Sequence, residues 1–305
     1  MWLIFIPAIF FGWALGANDA ANIFGPSVGT GVVRYRTAIV VTAIFVVIGA
    51  MLEGARGLET ISNLSVQDMK SAGISALAAA ISVALMTYFG LPVSSSQAIV
   101  GSIVGIGLLK GQVNWGILVK VLICWVTTPF GAALIGYVIY KVITPIFSKI
   151  KNAVVQDRIV WVSALIIGGY GAYALGANNV ANITGVFVSF IGIKLAAFLG
   201  GVSIAFGVLT YSYKVMMTVG KKIILLDHTS SLVAVLAESV TVWIYALIGV
   251  PVSTSQAIVG GVIGAGLSKG SKIASWKMIL RIILGWVQTP TISGSIAVLL
   301  YILFK

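Results

Sequence analysis

PVSSSQAIVG, from Pro92 to Gly101, returns as PVSTSQAIVG from Pro251 to Gly260, with Ser95 answered by Thr254. Ten residues repeated almost letter for letter, 159 positions apart in an otherwise apolar chain, record an internal duplication. Each copy has a proline, three consecutive hydroxyl residues and a glutamine, followed by an apolar run containing glycine. Proline suits the first turn of a helix, and serine or threonine suits its cap. Such a helix start presents free backbone N–H groups and the positive end of a dipole, which together favour an anion.

Other anchors keep nearly the same spacing. LGANDAAN (Leu15–Asn22) returns as LGANNVAN (Leu175–Asn182), and WVTTP (Trp125–Pro129) as WVQTP (Trp286–Pro290). Lys120 and Arg281 each precede their tryptophan by five positions. Four anchors in one order divide the chain into homologous halves, 1–150 and 151–305.

Of the 305 residues, 59% are hydrophobic and only 9% charged, and the mean hydropathy is +1.10. A soluble domain carries about 25% charged residues, so the chain reads as an integral membrane protein surrounded by lipid. Apolar runs near membrane-spanning length recur throughout. The amino-terminal MWLIFIPAIFFGWALGAN lacks a basic flank and a small-residue cleavage site, and reads as the first helix rather than a cleaved signal. A net charge of +12 would suggest nucleic acid in a soluble protein. Here lysine and arginine set membrane orientation, and no nucleic-acid partner is expected. Cys124 is the single cysteine, which excludes an intrachain disulfide framework. No Walker loop, HExxH or nucleophile elbow occurs, so the chain does not read as an enzyme.

In the first half the pattern predicts a helix over 2–32 interrupted near GANDAAN, a helix over 37–55, a polar loop to residue 71, apolar segments at 72–90 and 93–109, and a long one at 115–140. The second half repeats this at 159–192, 196–213, 229–249, 252–268 and 275–304. The segments flanking each Pro-Ser motif have lengths compatible with two full spans or with a hairpin that returns to its own side. GLPVSSSQ carries no charge and no long polar loop, which is odd at a membrane surface and tolerable at depth inside protein. The re-entrant hairpin is favoured. With either choice each half crosses an odd number of times, so the halves are inverted. Thirteen of the 19 lysines and arginines then share the side of the 141–158 linker, which places it in the cytoplasm and both termini outside. The expected fold is an all-α polytopic membrane protein of two inverted-topology repeats, each with a broken first helix and a re-entrant helical hairpin.

Inverted repeats with matching interruptions point to a secondary transporter whose site lies between the repeats near the midplane. Asp19 and Glu238 are the acids within strongly apolar segments. A carboxylate there is expensive and marks a candidate site. Asn18 and Asn22 add amide oxygens to Asp19, a set suited to a hard monovalent cation such as Na⁺, although these residues would also cap a half-helix. The matching triplet is Asn178, Asn179 and Asn182, so only the first copy carries a charge. Ser94, Ser95, Ser96 and Gln97, with Ser253, Thr254, Ser255 and Gln256, supply neutral donors for a tetrahedral oxyanion. Hydroxyls that merely bridge membrane helices are the structural alternative. Glu238 is matched by Ala79 and reads as a supporting contact or an interfacial pair. Lys120 and Arg281 read as snorkelling anchors, and His228, beside Asp227, as a loop residue.

GANDAAN with GANNVAN, and GLPVSSSQ with GVPVSTSQ, resemble the duplicated signatures of the inorganic phosphate transporter family over essentially the whole chain. The resemblance implies a homodimeric inverted-repeat symporter carrying inorganic phosphate with Na⁺, or with H⁺ in some members, and no cofactor beyond the coupling ion. It assigns phosphate to Asn18, Asp19, Asn178, Asn179 and the two hydroxyl-glutamine runs, and Na⁺ to Asp19, Asn22, Asn182, Gln97, Gln256, Ser94 and Ser253. Two departures matter. The second signature commonly has aspartate where Asn179 stands, and some members carry histidine at the positions of Gln97 and Gln256. Glutamine does not titrate, which favours Na⁺ over H⁺. The alternatives are proton-coupled phosphate transport, transport of another oxyanion such as sulfate, and an anion channel.

Overall fold

The computed structural model describes residues 5–88, 93–218, 227–270 and 276–304, without the side chains of 218 and 276–282. Pro92 and the side chain of Arg281 therefore lie outside the described residues. The first half comprises α1 (Ile6–Gly29), α2 (Tyr35–Glu53), α3 (Ala55–Ser62), α4 (Met69–Tyr88), α5 (Ser95–Lys110) and α6 (Trp115–Phe147). The second comprises α7 (Ala153–Thr184), a 3₁₀ turn (Gly185–Phe187), α8 (Val188–Ile191), α9 (Ile193–Tyr211), α10 (Tyr213–Thr218), α11 (His228–Ile248), α12 (Thr254–Ser268) and α13 (Trp276–Leu303). No strand occurs among the described residues beyond one antiparallel bridge, Ser65–Val113.

Two expectations are corrected. Helical geometry runs unbroken through GANDAAN in α1 and through GANNVAN in α7. Irregularity comes later, at Pro26 inside α1 and at the 3₁₀ turn after Thr184. Asparagine and aspartate weaken a helix without ending it, and tertiary contacts override that weak preference. The polar stretch after Gly54 is not all loop. In α3, Gly57, Leu58 and Ile61 form a buried stripe while Arg56 and Glu59 face outward, the pattern of an amphipathic helix.

Among the described residues, seven helices are long and apolar enough to cross a membrane, and this is a multi-pass membrane protein. On α6, Val126, Phe130, Leu134 and Val138 recur every fourth residue and all are exposed, a lipid-facing stripe. Helices α5 and α12 have only 16 and 15 residues. At about 1.5 Å per residue they fall short of the roughly 30 Å hydrocarbon core.

Each short helix pairs with the longer helix before it, α5 with α4 and α12 with α11, forming two hairpins. The base of each is tied by an ion pair that the sequence reading passed over. Lys110 at the end of α5 lies 2.7 Å from Asp68, which caps α4 by accepting from the Ser71 amide at 2.8 Å. Lys269, just beyond α12, pairs with Asp227, which caps α11 by accepting from Ser230 at 2.7 Å. His228, expected in a loop, is instead the first residue of α11, directly after its cap Asp227. Burial raises both carboxyls, but the bonds from the lysines and capped amides outweigh it and hold each below the usual carboxylate range.

The other ends are held by cations on helix C-terminal carbonyls, where charge and dipole agree. Lys214 donates to the carbonyl of Tyr88 at 2.6 Å, and Arg56 donates to that of Leu247 at 2.6 Å. Lys120 reaches the carbonyl of Ile248 at 3.3 Å, so it fastens α11 rather than serving as a lipid anchor alone. Gly249 then leaves α11 at φ +78°, a left-handed geometry suited to glycine, and turns the chain into the second tip.

Across the halves the packing is reciprocal. Helix α1 lies against α9 and α2 against α7, while α5 lies against α13 and α12 against α6. Gly101 of α5 meets Pro290 and Gly260 of α12 meets Pro129, so closely that a Cβ at either glycine would sit 2.2 Å from the proline carbonyl. Small residues at these crossings let backbones touch, as membrane helices require.

Candidate functional site

Helices α5 and α12 begin at the motifs singled out in the sequence. Ser94 is the N-cap of α5, accepting from the Gln97 amide at 3.3 Å, and Ser253 caps α12 by accepting from Gln256 at 3.3 Å. Pro251 lies two residues before its cap rather than in the first turn. The cap satisfies one amide. The other opening N–H groups of each helix have no intrahelical acceptor.

The two tips meet. Ser96 donates to the carbonyl of Val252 at 2.7 Å, and Ser255 returns a bond to the carbonyl of Val93 at 3.3 Å. The α1 and α7 signatures hold them from the side. Asn18 accepts from the Val93 amide at 3.2 Å, and Asn178 accepts from the Val252 amide at 2.8 Å. Asn22 donates to Thr254 at 3.1 Å and Asn182 to Ser96 at 3.3 Å. At the centre, one oxygen of Asp19 accepts from Ser95 at 3.1 Å and from Asn179 at 3.0 Å. Every residue assigned from the sequence therefore belongs to one buried assembly, each no more than 4% exposed.

The hydroxyl groups are more committed than the sequence suggested. Ser96 and Ser255 tie tip to tip, Ser95 serves Asp19, and Ser253 pairs with Ser255 at 2.8 Å. Sequence reasoning missed Thr87, which accepts from Asn18 at 3.0 Å, and the indole of Trp125, which donates to the Pro251 carbonyl at 3.2 Å. The repeated WVTTP and WVQTP motifs were the available signal for Trp125. Thr87 left none.

What remains unpaired has one chemical character. Asp19 Oδ1, Asn22 Oδ1, Asn179 Oδ1, Asn182 Oδ1, Gln97 Oε1 and Gln256 Oε1 are buried without a donor. A lone unmet acceptor is costly, and six of them on the signatures and tips favour positive charge there. The buried charged residues are Asp19 and Glu238, with no buried lysine or arginine among the described residues. No cluster of three histidine, cysteine or acidic groups suited to a transition metal occurs among them either. Oxygens of this kind suit a hard cation.

A family model described as the phosphate transporter family matches this chain twice, over residues 15–170 and 153–297. The chain belongs to the phosphate transporter family. Among curated relatives it is similar to proteins named as phosphate permeases. One from Pyrococcus furiosus is 30% identical, covering 95% of this chain and 92% of that protein. One from Methanocaldococcus jannaschii is 30% identical, covering 92% and 89%. One from Pyrococcus horikoshii is 28% identical, covering 98% and 97%. Its fold is shared with a solved sodium-dependent phosphate transporter at a TM-score of 0.86 and 23% identity, covering 99% of this chain and 98% of that one. As a family member the protein is a transporter rather than an enzyme.

Proposed function

We propose that this phosphate transporter is a symporter that couples inward movement of inorganic phosphate to a sodium gradient, with the site between two inverted halves. The observation that carries this reading is the coexistence of two helix starts with six donorless acceptor oxygens on the residues of the tips and signatures, Asp19 among them. Helix starts favour an anion and oxygen clusters favour a cation. A centre built from both, without a buried base, binds its anion well only when a cation is present. That mutual dependence is coupling, expressed as a binding free energy shared by two ligands.

Phosphate binding at the tips exchanges existing bonds for new ones. The Ser96 and Ser255 hydroxyls leave the opposing carbonyls, and the uncapped amides of α5 and α12 take phosphate oxygens. The tip-to-tip bonds and the phosphate thus compete for the same hydroxyls. Sodium takes Asp19, Asn22, Asn182, Gln97 and Gln256 as ligands, with the cap hydroxyls of Ser94 and Ser253 alongside. The reciprocal packing and the charge bias of the loops support the inverted arrangement, with the 141–158 linker cytoplasmic and the termini outside.

The test is phosphate uptake into proteoliposomes with Na⁺ and pH gradients imposed separately. An inward Na⁺ gradient at equal pH should drive accumulation. Uptake driven only by the pH gradient identifies H⁺ as the coupling ion, and flux indifferent to both gradients identifies a channel. Suppression by sulfate but not arsenate changes the substrate.

A further inference from the structure

Glu238 lies in α11, is 2% exposed, and has a carboxylate oxygen, Oε2, buried without a donor. No phosphate-site residue bonds to it, and the coupling scheme above leaves it idle. Its surroundings are fixed by neighbours on either side. Val242, one turn on along the same face, accepts from Asn178 at 3.4 Å. Ser239 packs at Gly171 of α7, where an added Cβ would lie 2.6 Å from its Oγ and 3.1 Å from Ile23. Ile23 in turn is one turn beyond Asp19 on α1. Glu238 thus stands where α1, α7 and α11 converge, within electrostatic reach of Asp19.

The duplication gives this position its meaning. The first half places its buried acid on α1, at Asp19, and the matching residue of α7 is the neutral Asn179. The second half places its buried acid on α11, the helix packed against α7, and the matching residue of α4 is Ala79. Each half therefore contributes one buried carboxyl from a different helix. Two carboxyls buried with no base beside them among the described residues must be neutralised, each by a proton or by a bound cation.

We propose that Glu238 is a ligand of a second sodium ion, supplying for the second half the charge that Asn179 lacks. The inference rests on the sodium-coupled reading above. Equilibrium ²²Na⁺ binding to purified protein and the sodium dependence of phosphate uptake test it together. In the parent protein uptake should rise sigmoidally with sodium. Glu238→Gln should lower the number of ²²Na⁺ ions bound per chain by one, raise half-saturating sodium roughly tenfold or more, and flatten the curve to a hyperbola. An unchanged ion count with unchanged half-saturation overturns the assignment. So does a variant that loses only its pH dependence, since the cation there is then a proton. Should Glu238→Gln fail to fold, Glu238→Asp keeps the charge and moves the oxygens. It should retain the ion count with weakened half-saturation, and indifference to that shift overturns the proposal. A parent protein that takes up phosphate without sodium removes the symport reading and this one with it. A sodium-dependent parent with an indifferent Glu238→Gln variant removes this one alone.

Discussion

Asp19 and Asn179 occupy matching places in the two halves, and they touch, with Asn179 Nδ2 3.0 Å from Asp19 Oδ2. The contact joins the duplicated signatures at one point of the site. An aspartate at both places would set two carboxylates against each other. The asparagine instead donates to one oxygen of Asp19 and leaves the other, Oδ1, without a donor.

That geometry makes Asp19→Asn a test of the cation role. The exchange keeps size while removing the charge, so folding should be largely retained. Half-saturating sodium for phosphate uptake should rise by about tenfold or more, equivalent to at least about 1.4 kcal/mol. Uptake with unaltered sodium dependence would refute the role given to Asp19.

The bonds between tips are unequal, and the inequality is measurable. Ser96→Ala removes the 2.7 Å bond to Val252 and Ser255→Ala the 3.3 Å bond to Val93. Each should cost about 0.5–1.5 kcal/mol of stability, the larger loss falling on Ser96. Thermal unfolding of the single and double variants in detergent checks the order. Equal losses, or none, would show that the tips are held by their asparagine partners alone.

Close approach at the crossings predicts a sharp contrast among glycines. Gly101→Ala and Gly260→Ala place a Cβ 2.2 Å from the carbonyls of Pro290 and Pro129. Backbone cannot yield as a side-chain end can, so each should destabilise by about 1–3 kcal/mol and impair uptake. Gly131→Ala, with nothing within 4 Å of the added atom, is the control and should be neutral or slightly stabilising. Melting temperatures of the three variants, with uptake assays, decide the matter.

The hairpin bases should weaken in acid. Asp68 and Asp227 are held below the usual carboxylate range in the folded protein, so their contribution is complete above the unfolded value of about 3.9. It is lost as pH falls through the lower folded values. Both pairs are partly exposed, so each is worth at most about 1 kcal/mol. Asparagine can still cap a helix. Asp68→Asn and Asp227→Asn should therefore cost little at neutral pH and reduce the acid sensitivity of unfolding. A pH titration of the melting temperature for both variants measures this.

Much of this molecule is readable in one dimension because it was written twice. The matched motifs mark an internal repeat, the apolar runs declare membrane helices, and Asp19 in such a run advertises its own cost. The caps Ser94 and Ser253 follow from local chemistry, since an N-cap reaches only three residues ahead. Those features depend on neighbours in sequence or on composition, and a chain without its fold still displays them.

Tertiary structure decided the rest. Helix continuity through GANDAAN depends on packing from other segments, which overrides the local preference of asparagine and aspartate. Which hydroxyls tie tip to tip, and which acceptors stay unmatched, depends on pairs such as Ser96 with Val252, separated by 156 positions. The Asp68–Lys110 and Asp227–Lys269 ties were present in the sequence at matching spacing. They meant nothing until two antiparallel arms brought them together. Glu238 shows the same division: its apolar segment marked it as costly, and only the convergence of α1, α7 and α11 brought it within electrostatic reach of Asp19. Covalent order states which groups exist. Their free energies depend on partners and burial, which arise only when distant segments exclude lipid and water from one another.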